Sequence, residues 1–154
     1  MAVPETVLGL GLIPRGDDPA RREHIAALAR RLGYTVVEPA DAAALLTAPS
    51  WAELLASVAA HGPGARVAVS VAIGRTMSEA VALAERNPQL GDVRAAGVFG
   101  TFERAQQQLL ELADAGGSFL LAQLPDEPDM AEILATLRAA VSGPTVALRH
   151  GSQR

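Results

Sequence analysis

Short apolar runs alternate with capped, one-sided helical patterns along the whole chain, and that alternation is what most limits its fold. Residues 7–13, 66–73 and 118–124 are apolar almost throughout, as strands covered on both faces are. Residues 34–37 and 95–99 read as shorter strands, and residues 145–150 as a last one. Between them lie helix signals. Asp17 or Asp18 caps a helix with Pro19 in its first turn, Ile25, Leu28, Ala29 and Leu32 share one face, and Gly33 supplies a left-handed stop. Ser50 with Glu53, Thr76 with Glu79, and Asp129 with Glu132 have capping-box spacing. The helix over 101–115 turns Phe102, Ala105, Leu109 and Leu112 inward and ends at Gly116. Such alternation predicts a mostly parallel sheet wrapped by helices. With short linkers and no shift in composition, residues 1–154 read as one domain.

Composition narrows the chemistry. Hydrophobic residues make up 49% of the chain but aromatics only 3%, so Ala, Leu and Val must build the core. The absence of cysteine excludes disulfides, thiolate metal sites and cysteine nucleophiles. All 13 basic residues are arginine and they are scattered, with a net charge of −4, so no basic stripe points to nucleic acid. No apolar stretch is long enough for a bilayer, and residues 1–6 lack a signal-peptide pattern, which together predict a cytoplasmic protein. His24, His61 and His150 have no metal-ligand spacing, so no metal is expected, and no G-x-S-x-G is present. Gly9 and Gly11 lie inside a strand without the third glycine of a dinucleotide fingerprint and read as room for close packing.

A resemblance emerges from particular motifs. Gly97-Val98-Phe99-Gly100-Thr101, with Ala105, Leu109, Leu112, Ala115 and Gly116, resembles the strand, Gly-Thr turn and following helix of the bacterial luciferase-like family of flavin- and deazaflavin-dependent oxidoreductases. Phe119 to Pro125 and Asp129 to Val141 resemble its last strand and helix. Val67 to Ile73 with Thr76, Glu79 and Ala80 is similar to the unit before them, and Leu8 to Pro14 with Ala29 to Tyr34 to the first unit. The family fold is a (β/α)₈ barrel, which takes roughly 250 residues. This chain has 154, and between Ile73 and Gly97 it holds one helix and no Gly-Gly turn. The resemblance therefore implies a truncated TIM-barrel-like (β/α) fold of about five or six mostly parallel strands, first units joined to last units.

The same resemblance implies FMN or a deazaflavin as cofactor, or none in the isolated chain, and oxidoreductase or monooxygenase activity on a small organic molecule. Its alternatives are a non-catalytic relative that binds a ligand or partner, and a cofactor-free isomerase or cyclase. An eight-stranded barrel reduced to five or six strands is left with an opening, so a homodimer, or a complex with a full-length relative, is expected to cover it. Ligands of such folds bind beyond the carboxyl ends of the strands. That places Arg15, Arg75, Gly100 and Thr101 as candidate cofactor-binding residues: the arginines for a phosphate or carboxylate, the Gly-Thr pair for an anion at a helix start. Glu38, Asp41, Gln123 and Asp126 also fall at strand ends. Thr101 is most simply an N-cap, Arg15 and Arg75 read more readily as solvated loop charges, and no catalytic constellation stands out.

Overall fold

The computed structural model describes residues 8–15, 17–42 and 44–142. In chain order the elements are β1 (Gly9–Leu12), α1 (Pro19–Arg31), β2 (Thr35–Val36), α2 (Pro39–Ala42), α3 (Trp51–His61), β3 (Ala65–Gly74) and α4 (Met77–Arg86). A 3₁₀ turn at Pro88–Leu90 follows, then α5 (Val93–Ala96), β4 (Val98–Thr101), α6 (Phe102–Ala115), β5 (Gly117–Gln123) and α7 (Met130–Ser142). The protein is α/β, and the described residues form a sheet of five strands, all parallel, in the order β2-β1-β5-β3-β4. This agrees with a shortened β/α barrel-like fold. β1 and β5 are neighbours, Gly9 beside Phe119 and Gly11 beside Leu121. β4 lies outside β3, pairing Val71 with Val98 through Gly74 with Thr101. Lower on the same edge, Leu46 bridges Val67, so residues after β2 cross to the far side of β3 before α3 begins.

Side chains alternate between the two faces along each strand, and the faces are covered differently. One face carries Leu10, Leu12, Val67, Val69, Val71, Val98, Leu120 and Ala122. These pack beneath Ile25 and Ala29 of α1, Leu54 and Val58 of α3, Leu109 and Leu112 of α6, and Leu134 and Leu137 of α7. Tyr34 is buried in this core, and its hydroxyl donates to the Leu134 carbonyl at 2.6 Å. Burial pushes that phenol above its ordinary ionisation range. The other face is covered in two separate patches. Ala72 and Phe99 lie with Ala80, Leu83, Leu90 and Val93, while Leu121 lies with Val37 and Leu45.

The capping signals translate into bonds. Asp18 accepts from the Ala20 N–H at 3.0 Å, and Ser50 and Thr76 accept from the N–H groups of Glu53 and Glu79. Asp129 accepts from Glu132 N–H at 3.2 Å. The Glu79 carboxylate departs from a reciprocal box and accepts instead from the Arg75 N–H at 2.8 Å. Gly33 and Gly116 have φ of 88° and 117°, the left-handed stops expected of them. The expected strand over 95–99 is displaced: residues 93–96 form the helical turn α5 under the cap of Asp92, and pairing runs from Val98 to Thr101. Gly97 sits between the two, where a Cβ would collide with the Ser70 carbonyl. The expected strand over 145–150 lies outside the described residues. Among the described residues no helix is long and apolar enough to cross a membrane.

Candidate functional site

The two patches on the second sheet face leave a gap, and a cleft of about 710 Å³ occupies it. Its floor is sheet: Ile13 beyond β1, Ala68 and Ser70 of β3, Leu121 and Gln123 of β5. Ala42 and Ala48 form one wall, Leu90 and Val93 the other. Alternation explains the flat floor. On this face β1 and β3 present Gly11, Ala68 and Ser70 where the opposite face has Leu10, Leu12, Val67 and Val69, so little side-chain volume rises from these two strands. Gly11 is part of this economy, since a Cβ there would collide with the Phe119 ring.

A connected polar network lines the carboxyl-end rim. Ser70 Oγ lies 2.8 Å from the Leu90 carbonyl and 3.2 Å from Gln123 Oε1. Gln123 Nε2 donates to the Gln89 carbonyl at 3.0 Å, and Gln89 Nε2 donates to Asn87 Oδ1 at 3.0 Å. Asn87 is 2% exposed and is the hub. Its Oδ1 also accepts from the Asp126 N–H, and its Nδ2 donates to the Leu83 carbonyl and to Glu127 Oε2 at 2.8 and 2.9 Å. Arg86 completes the corner with a 2.9 Å ion pair to Glu127. The hydrogen bond from Arg86, then that from Asn87, holds the Glu127 carboxyl below the usual carboxylate range, and the same contact raises Arg86. Arg21 of α1 ties the loop from the other side, through Asp126 at 2.8 Å and the Glu127 carbonyl at 2.8 Å.

A second cleft, of about 670 Å³, opens beyond this corner among Ile73, Leu83, Phe102, Ile133 and the rim residues Arg75 and Glu132. Arg86 and Pro125 line both clefts, so the Arg86–Glu127 pair stands in the wall between them.

The four candidate residues are not brought together. Arg15 lines the first cleft, is exposed, and has no ion pair or side-chain hydrogen bond among the described residues. Arg75 lines the second, 3.7 Å from the Glu79 carboxylate. Gly100 and Thr101 border neither. The Thr101 hydroxyl accepts from the Arg104 N–H at 3.3 Å and so acts as an N-cap, while Gly100, at φ 126°, makes the turn into α6. Glu38 and Asp41 are exposed and line neither cleft. Gln123 and Asp126 fall in the first. Ser70, Asn87, Gln89 and Glu127 escaped the sequence reading, because Asn87-Pro88 signals a helix end and nothing in it announces a buried hub. Among the described residues no three His, Asp or Glu side chains are placed to hold a metal ion. No family model, curated protein or solved structure matches this chain.

Proposed function

We propose that the first cleft binds a flavin or deazaflavin, and that the chain is a luciferase-like oxidoreductase acting on a small organic molecule. The observation that carries this reading is the cleft itself, about 710 Å³ at the strands' carboxyl ends, with the small side chains of Ala68 and Ser70 in its sheet floor. That volume lies within the usual range for cofactor sites. The residues fit such a group: Ala68, Ser70 and Leu121 leave a flat bed for a fused ring, and Arg15 has an unengaged guanidinium for an anionic tail. When bound, the cofactor supplies the redox chemistry. The protein binds the ring, orients it and shields one of its faces from water.

The test is a fluorescence titration of the purified protein with FMN and with a deazaflavin. Saturable quenching is expected. Arg15→Ala should weaken FMN several-fold while leaving riboflavin, which has no phosphate, unchanged. Arg75→Ala should leave both unchanged, since Arg75 faces the other cleft. No saturable binding of either cofactor overturns the reading.

A second reading is favoured by one observation. Ser70, Gln123, Gln89 and Asn87 are hydrogen-bonded to one another, which suits a site that binds without transforming. In that case the chain is a ligand-binding or partner protein, and flavin binding occurs without turnover. Either reading carries a homodimer, or a complex with a full-length relative, covering the cleft side of the sheet. Light scattering on the eluted protein giving the monomer mass alone removes the homodimer.

A further inference from the structure

Gln123 closes the carboxyl end of β5 on the floor of the first cleft, and its amide is held in a single orientation. Oε1 faces the Ser70 hydroxyl and Nε2 faces the Gln89 carbonyl. A flipped amide would set two carbonyl oxygens against each other at the second contact. The support continues behind it, since Gln89 is fixed by Asn87, and Asn87 by Leu83 and Glu127. A primary amide has two donor hydrogens and two acceptor lone pairs. The Gln89 contact engages one N–H, and the single Ser70 hydrogen, shared with the nearer Leu90 carbonyl, reaches at most one lone pair, so one N–H and at least one lone pair stay unengaged among the described residues.

We infer that Gln123 reads the ligand by an adjacent donor–acceptor pair, and that the cleft selects a planar ring bearing a lactam or imide edge. Oε1 accepts from the ring N–H, and Nε2 donates to the ring carbonyl beside it. The pyrimidine-dione end of a flavin or deazaflavin has such an edge, so this inference rests on the flavin reading of the same cleft. The cleft also has a cation away from Gln123. β1 pairs with β5 as far as Gly11 with Leu121, and Ile13 and Arg15, which follow β1, line the same cleft as Gln123. The ring's imide edge then meets Gln123, and an anionic tail lies toward Arg15. A head group locked by surrounding bonds needs no reorganisation on binding, which is how a polar contact yields selectivity.

The test compares lumiflavin, which has the imide N–H, with 3-methyllumiflavin, in which a methyl replaces that hydrogen. Both are titrated by fluorescence into wild-type protein and into Gln123→Leu. Wild-type protein should bind lumiflavin about tenfold more tightly, the scale of one well-made hydrogen bond. Gln123→Leu should lose that preference and bind lumiflavin at the methylated level. Equal wild-type affinities, or a preference that survives in Gln123→Leu, overturn the inference while leaving flavin binding standing. Failure of both ligands, of FMN and of the deazaflavin to bind overturns the flavin reading and this inference with it. If Gln123→Leu does not fold by circular dichroism, the two-ligand comparison on wild-type protein decides alone.

Discussion

The side-chain amide of Gln108 serves the edge strand as a neighbouring strand would: the Phe99 N–H donates to its Oε1 at 2.9 Å, and its Nε2 donates to the Gly97 carbonyl at 3.0 Å. Gln108 projects from α6 and is 9% exposed, so both bonds are shielded from water. An unpaired strand edge is a template for further pairing. Here one residue satisfies two outward-facing backbone groups, one in β4 and one just before it, and among the described residues no further strand pairs beside Val98 and Phe99.

Replacing Gln108 by Leu should orphan both groups. Each buried, unsatisfied backbone group costs about 1–3 kcal/mol, so a loss of about 2–4 kcal/mol is expected in urea unfolding. The variant should also self-associate more with rising concentration on size exclusion. Unchanged stability would show that the amide is not an edge cap.

Asn87 should be the least replaceable polar residue of the rim. Its side chain makes four hydrogen bonds, to Leu83, Glu127, Gln89 and the Asp126 backbone. Asn87→Ala is expected to cost about 2–4 kcal/mol by chemical denaturation. Asn87→Asp, which sets a second carboxylate against Glu127, should be no better despite its matching shape.

Glu127 predicts a pH effect with a definite sign. Its folded-state pKa is lowered by Arg86 and Asn87, so the unfolded chain takes up its proton first as pH falls. The stabilisation is therefore present above the ordinary carboxylate range and fades as pH drops through that range toward the folded value. Glu127→Gln removes it. The stability gap between wild type and Glu127→Gln should shrink on acidification from neutrality, read from urea midpoints across pH. A gap that widens in acid would contradict the assignment.

Two glycines two residues apart in β1 should respond unequally to alanine. At Gly11 a Cβ would meet the Phe119 ring, with Val37 Cγ2 at 3.0 Å and the Thr35 carbonyl at 3.1 Å. At Gly9 the nearest atoms are Phe119 Cδ1 at 3.3 Å and the Ser118 carbonyl at 3.5 Å. Gly11→Ala should cost about 1–3 kcal/mol through overpacking. Gly9→Ala should cost clearly less, and the difference is measurable by thermal melting of the two variants side by side.

Gln106, on the side of α6 away from Gln108, is 7% exposed and its amide has no hydrogen bond among the described residues. Desolvating an unpaired amide is unfavourable. Gln106→Leu keeps the approximate volume and should raise stability by about 1 kcal/mol, a few degrees in melting temperature for a domain of this size.

The chain's local chemistry was open to reading because it is local. A capping hydroxyl three residues before a carboxylate, a glycine after an apolar face, or a run such as 66–73 acts within one turn or one strand, and the elements formed near those signals. Parallel pairing followed, since helices between strands leave no other economical return. What tertiary structure decided was which elements met. Placing β4 outside β3, with Gln108 across its edge, depends on residues 9 and 11 apart in sequence closing onto one strand. The rim joins Asn87 to residues 39 and 40 positions away. The same packing put Arg15 and Arg75 in different clefts and turned Thr101 inward to its own helix. Periodicity records which face of an element is apolar but not which neighbour covers it. The gap between two core patches, where the cleft lies, exists only once every helix has found its place.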